Sequence, residues 1–172
     1  MDIKKYLQEK KEIVDSALEK YFLNRPDSAG EAVFPNSLHK AIQYSLFAGG
    51  KRIRPILSMA AFEAIGGRGD KILPFACALE MIHTYSLIHD DLPALDNDDY
   101  RRGKPTCHKV FGESIGILAG DALLTEAFKL MTDRAIQEFS IRDGGSILDV
   151  INEVAQAAGM SGMVGGQVLD IE

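Results

Sequence analysis

Cysteine is scarce: Cys77 and Cys107 are the only two in 172 residues. Two thiols are too few for a disulfide scaffold and fit a reducing cytosol, so a cytoplasmic chain is expected. Long apolar runs are missing as well. No stretch of about 18 uncharged apolar residues occurs, which argues against a membrane-spanning helix. Positive charge is not in excess: 19 basic against 25 acidic side chains give a formal net charge of −6. That balance argues against general nucleic-acid binding. Met1 opens on a charged amphipathic segment, not on a basic start with an apolar core, so no secretory leader is expected. Period-two alternation persists nowhere, so no strands are expected. Tandem repeats, low-complexity linkers and a GxxxxGK[ST] phosphate loop are also absent.

What remains is helical. A chain with 46% hydrophobic and 26% charged residues is long enough for one domain with a core. An amphipathic helix spans Met1 to Leu23, with Ile3, Leu7, Val14, Leu18 and Phe22 among its apolar positions. Asn24 to Pro35 is a loop rich in breakers. A helix runs from Asn36, a candidate cap, to Ala48, and Gly49-Gly50 ends it. Arg54 to Ile65 is the next helix, with Pro55 in its first turn. Gly66 to Gly69 breaks the chain, and Asp70 caps a helix leading toward Asp90. A loop reaches Phe111, a helix covers Glu113 to Phe139, and Arg142 to Gly145 turn. Helices over Ser146 to Ala158 and Ser161 to Glu172 complete the reading. The expected fold is a single all-α domain, residues 1–172, of packed antiparallel helices.

Charge chemistry concentrates in His83 to Thr106, HTYSLIHDDLPALDNDDYRRGKPT. Asp90, Asp91, Asp96, Asp98 and Asp99 place five carboxylates within ten residues, directly before Arg101, Arg102 and Lys104. Such a cluster repels itself unless something positive neutralises it. A hard divalent cation suits it, because Mg²⁺ takes carboxylate and water oxygens and is often completed by phosphate. Arginine forks bind phosphate oxygens in pairs. Acids and arginines together therefore point to a metal–diphosphate site, against the plainer reading of a solvated loop in local salt bridges. His83 and Asp90 are seven residues apart, so they share a helix face about two turns apart, with Ser86 between them and Tyr85 on the flank. Pro93 ends or bends the helix near Asp91 to Leu92, so the bend, not helical periodicity, brings Asp96 round. Upstream, Gly49-Gly50-Lys51-Arg52-Ile53-Arg54-Pro55 clusters three cations at a helix start, where backbone donors already favour anions.

These motifs resemble the trans-prenyltransferases of the polyprenyl synthetase family. DDLPALD resembles the first aspartate-rich motif in the four-residue-spacer form of bacterial farnesyl diphosphate synthases, and GGKRIRP resembles the family's GGKxxRP segment. The resemblance implies an all-α bundle of the isoprenoid synthase type. It also implies condensation of isopentenyl diphosphate with dimethylallyl or geranyl diphosphate to give farnesyl diphosphate. Asp90 and Asp96 match the principal Mg²⁺ ligands, with Asp91 inside the motif in a less direct role. Lys51, Arg54, His83 and Arg102 match the isopentenyl diphosphate contacts, and Arg101 the allylic diphosphate contact. Arg52 matches no position with a role. Tyr85 and Ser86 fall where the floor of the chain-length pocket is set. Gly166-Gln167-Val168-Leu169-Asp170 resembles a later segment whose Gln and Asp face the cavity, and Asp121 of Gly120-Asp121-Ala122 is structural or near the site.

The resemblance covers the N-terminal half of the family pattern. The second aspartate-rich motif, which would hold a third Mg²⁺ of a complete enzyme, is not in the sequence, nor is the lysine–threonine segment. A truncated chain with weak diphosphate binding and poor turnover is therefore expected, in a family that forms homodimers. The alternatives are a geranylgeranyl diphosphate synthase, a non-catalytic partner subunit, or another aspartate-rich terpenoid enzyme such as a cyclase or diphosphate hydrolase. GGKRIRP, a site for a second diphosphate, argues against the last.

Overall fold

The computed structural model describes residues 2–22, 35–138 and 144–172. The chain forms two compact units, Met1–Ala127 and Phe128–Glu172.

The first unit is built on α4, Leu73–Asp90. Its sequence, LPFACALEMIHTYSLIHD, is apolar on nearly every face, and a helix of that kind belongs inside. Twelve of its residues are buried, from Leu73 to Ile88. α1 (Ile3–Phe22), α2 (Asn36–Leu46) and α3 (Ile53–Ala64) pack against it. α1 and α2 are amphipathic and turn Val14, Ala17, Leu18, Ala41, Ile42 and Leu46 inward. Asp70 does not cap α4 by its side chain; it opens a 3-10 turn, Asp70–Ile72, that runs into Leu73 with Pro74 in the first helical turn. Asn36 is the first residue of α2 and makes no capping bond, because Pro35 occupies the cap position.

After α4 the expected plain loop contains two short elements. Tyr100–Arg101 (β1) pairs antiparallel with Lys104–Pro105 (β2), and Cys107–Phe111 forms the short helix α5. Two-residue strands leave no alternation for a periodicity argument to detect, which is why no strand was expected. α6, Glu113–Glu138, begins just beyond the left-handed Gly112.

The second unit holds the remainder of α6, then α7 (Gly144–Ala158) and α8 (Met163–Ile171), which contact one another. α7 starts two residues earlier than the expected Ser146, so Gly144 and Gly145 are helical. The rest of the expected turn, Arg142 and Asp143, and the expected loop from Asn24 to Phe34 lie outside the described residues. Among the described residues no helix is long and apolar enough to cross a membrane. The architecture is all-α apart from the two-stranded hairpin.

Candidate active site

α4 delivers the acidic end. The helix stops at Asp90, and Pro93 prevents its continuation by lacking an amide donor. The chain then folds back tightly. The Leu95 and Asn97 amides both donate to the Leu92 carbonyl, and the Asp96 amide donates to the Asp90 carbonyl at 2.8 Å. Asn97 takes the left-handed conformation that closes the turn, at φ 53°. This bend brings Asp96 back to the last turn of α4. Asp90 is half-buried and Asp96 exposed. Burial, and next the negative field of Asp96, push the Asp90 carboxyl above the ordinary carboxylate range. Among the described residues no salt bridge ends on Asp90 or Asp96.

Asp91 has a different position. It is 3% exposed, and Arg101 Nε lies 2.7 and 2.9 Å from its two oxygens, with Nη2 2.6 Å from Oδ1. Both Asp91 oxygens thus engage the Arg101 guanidinium. The hairpin makes this possible. Arg102 and Gly103, at φ 54° and 77°, form a two-residue turn with both central residues left-handed. Consecutive arginines therefore serve different partners: Arg101 grips Asp91, and Arg102 donates to the Gly49 carbonyl. Asp98 reaches Arg101 at 3.7 Å and Asp99 pairs with Lys109 at 2.7 Å, so these two acids are engaged in local bridges.

The GGKRIRP loop faces Arg102. Gly50 sits at φ 136°, and a Cβ there would come within 2.6 Å of the Arg102 guanidinium, so glycine allows this approach. Lys51, Arg54, His83 and Arg102 line one open cleft of about 600 Å³, together with Gly50, Arg52 and Glu80. Lys51 and Arg54 are exposed. His83 is half-buried, and burial, then the field of Arg54, hold its imidazole below the usual histidine range; Arg102 and Arg101 add to the effect. A smaller cavity of about 40 Å³ shares Ala48 and Arg102 with the cleft and is also lined by Asp91 and Arg101.

Tyr85 and Ser86 lie on the same helix, one to two turns before Asp90. Tyr85 is buried and packs edge-on against His89, with ring centroids 5.7 Å apart. Burial, then the charge of Asp90, raise its phenol above the usual tyrosine value. Ser86 Oγ donates to the His83 carbonyl at 2.9 Å. Gln167 and Asp170 sit on α8 of the second unit, the first half-buried and the second exposed.

Two relationships escaped sequence reasoning. Arg52, which matched no role, is 3% exposed and binds Asp15, Glu80 and the Leu46 carbonyl. His89, beside Asp90, contacts the Ile117 carbonyl through Nε2 at 3.0 Å, and Asp121 lies 3.9 Å from that nitrogen. The signal for the first was Glu80, a lone charge in an apolar helix that must find a buried partner.

Among the described residues no group of three or more His, Cys, Asp or Glu side chains is placed to cage a metal. The acidic end offers two carboxylates, Asp90 and Asp96, one of which already meets unfavourable charge. That donor set fits Mg²⁺, which commonly takes one or two carboxylates and completes its shell with water and phosphate oxygens.

A family model described as polyprenyl synthetase matches residues 35–172. A farnesyl diphosphate synthase from Geobacillus stearothermophilus is 51% identical over 174 residues, covering 100% of this chain and 54% of that protein. A geranylgeranyl diphosphate synthase from Cyanophora paradoxa is 52% identical over 166 residues, covering 96% of this chain and 51% of that protein. The crystal structure of a geranyltransferase from Legionella pneumophila superposes with a TM-score of 0.80 at 39% identity, over 95% of this chain and 56% of that one. The chain spans about half the length of the curated relatives it matches.

Proposed function

This chain belongs to the polyprenyl synthetase family, and we propose that it carries the substrate diphosphate sites of a prenyltransferase. The reaction joins isopentenyl diphosphate to dimethylallyl or geranyl diphosphate, giving farnesyl diphosphate and free diphosphate. One observation carries the reading: a single helix, α4, bears His83 in the basic cleft and ends two turns later in the acid pair. Two anionic groups of opposite requirement, one taken by cations and one by a metal, are thereby held side by side. The names of the relatives support the same chemistry.

Lys51, Arg54, His83 and Arg102 bind the diphosphate of isopentenyl diphosphate. His83, kept neutral by burial and by its arginine neighbours, serves as a hydrogen-bonding group there. Arg101 is aligned by Asp91 through Nε and Nη2, which leaves its Nη1 donors for the allylic diphosphate. Asp90 and Asp96 are the residues to hold Mg²⁺. When bound, the ion supplies Lewis-acid withdrawal of charge from the allylic diphosphate. Bond exchange then needs no protein nucleophile: the allylic C–O bond breaks, the double bond of isopentenyl diphosphate forms the new C–C bond, and the proton released leaves with the diphosphate. Tyr85, with Ser86 beside it, limits the length of the growing chain from below Asp90. Gln167 and Asp170 remain candidates for lining the cavity.

A cytoplasmic location is part of the same proposal, supported by the two free, buried thiols, which suit a reducing compartment. A homodimer belongs to the same proposal, and a monomeric mass in light scattering would contradict it. A twenty-carbon product is the second reading, because the relatives include a geranylgeranyl diphosphate synthase of equal similarity.

The test is product identification with geranyl diphosphate, isopentenyl diphosphate and Mg²⁺. It uses the 172-residue chain, alone and joined to the segment of the Geobacillus relative that it does not cover. The joined protein is expected to release farnesyl diphosphate and the short chain little or none. Consumption of geranyl diphosphate without isopentenyl diphosphate would instead indicate a cyclase or hydrolase.

A further inference from the structure

Lys51 and Arg54 flank a residue that is buried where they are exposed. Arg52 is 3% exposed, whereas Lys51, Ile53 and Arg54 are exposed. Each of its three guanidinium nitrogens donates to the protein. Nε donates to Asp15 on α1 at 2.8 Å, Nη1 to Glu80 on α4 at 2.7 Å, and Nη2 to the Leu46 carbonyl at the end of α2 at 2.9 Å. Its own carbonyl accepts from the Ile56 amide in the first turn of α3. One residue thus ties all four helices of the first unit's core together.

Its backbone sits at φ 53°, ψ 34°, in the left-handed region that favours glycine. Two glycines precede it, so the loop does not lack permissive residues. A non-glycine in this conformation persists when its surroundings over-determine it. Here the three acceptors do so. Holding the backbone left-handed at Arg52 turns Lys51 outward before α3 begins and sets Arg54 outward on its first turn. Glu80 is one turn before His83 on α4, so the Arg52–Glu80 bond fixes the loop against the very helix that carries the third member of the cleft.

From this geometry we propose that Arg52 is the positioning residue of the diphosphate cleft. It sets Lys51 and Arg54 opposite His83 through Asp15 and Glu80, and does not touch the ligand itself. The inference rests on the diphosphate reading of the cleft, and the experiment below separates the two.

Sign distinguishes positioning from simple electrostatics. Removing a carboxylate near an anion site strengthens anion binding if only charge matters. It would also release Arg52 toward the ligand if Arg52 were a direct contact. Loss of positioning weakens binding instead. The measurement is calorimetric titration of isopentenyl diphosphate, without metal, into the whole chain and its Asp15→Ala and Glu80→Gln variants. Asp15 is on the partly exposed side of α1, where alanine is a good helix former, and Lys11→Ala, which removes the other partner of Asp15, is the control. Asp15→Ala is expected to bind at least fivefold more weakly, Glu80→Gln to weaken in the same direction, and Lys11→Ala to match wild type. Amide hydrogen exchange over residues 50–54, read without ligand, is expected to accelerate in Asp15→Ala.

Affinity in Asp15→Ala equal to or tighter than wild type overturns the proposal, and so does unchanged exchange over the loop. Wild-type chain that binds no isopentenyl diphosphate contradicts the diphosphate reading alone; the exchange measurement then still decides whether Arg52 sets the loop.

Discussion

The Asp96 amide donates to the Asp90 carbonyl at 2.8 Å, so the two carboxylates of the acid pair are joined through the backbone that carries them. Their spacing is a property of the turn, and their repulsion is built into the fold. Burial and the charge of Asp96 hold the Asp90 pKa above its unfolded value. The folded chain therefore binds a proton that the unfolded chain releases first, and stability falls as pH rises from the unfolded pKa through the folded one. Above that window the cost is complete; below it the cost is absent. Asp90→Asn is accordingly expected to raise the melting temperature of the metal-free chain by roughly 1–3 °C at neutral pH. The gain should shrink as pH falls through the carboxylate range. A lower melting temperature at neutral pH would show that Asp90 is not under charge stress.

Gly120 makes a prediction with an unusual sign. In an exposed helix Gly→Ala stabilises by up to about 1 kcal/mol. At Gly120 the added methyl would run into the His89 imidazole, which is held by the Ile117 carbonyl. Gly120→Ala is expected to destabilise by about 1–3 kcal/mol through overpacking. Gly116→Ala, whose methyl first meets Leu92 at 3.4 Å, should be neutral or stabilising. Thermal unfolding of both variants checks the pair, and equal behaviour would contradict the close approach of α4 and α6.

Both thiols should be inert in the native state. Burial, and next the charge of Glu80, push the Cys77 thiol up to about 12. Cys107 is also buried and raised, first by burial. An Ellman titration is expected to find neither thiol reactive in the folded chain and both after denaturation, because the thiolate is the nucleophile.

Tyr85 is buried five residues before Asp90. If it limits the growing chain, Tyr85→Ala in a catalytically complete protein shifts products beyond fifteen carbons. Chromatography of the dephosphorylated prenols reads this directly. A wild-type distribution would remove Tyr85 from the chain-length role.

Much of this was legible in the sequence because the elements are long and the motifs local. α4 announces itself by continuous apolarity, and Pro93 by chemistry alone fixes where it must end. The return of Asp96 by a bend follows from the same proline. The hairpin was not legible: two paired residues per strand carry no period, and its signal, Arg-Gly in left-handed conformations, is a weak one. Asp91 and its bond to Arg101 were not legible either, since neighbouring aspartates look alike until burial separates them. Arg52 was hidden for another reason. A run of three cations reads as one basic patch, and only the αL backbone shows that the middle one turns inward. Its partner Glu80, charged within an apolar helix, was the available clue.

The central claim is that two diphosphates bind by two different means, cations in the cleft and a metal on the acid pair. The direct measurement is equilibrium titration of isopentenyl diphosphate without metal and of geranyl diphosphate with and without Mg²⁺, in wild type, Lys51→Ala and Asp96→Asn. The account predicts metal-independent isopentenyl diphosphate binding that Lys51→Ala weakens about tenfold or more, since a hydrogen bond to a charged group contributes roughly 1.5–3 kcal/mol. It predicts Mg²⁺-dependent geranyl diphosphate binding that Asp96→Asn removes, with each substitution sparing the other site. Loss of both activities together in either folded variant, or binding of isopentenyl diphosphate only when Mg²⁺ is present, would contradict it.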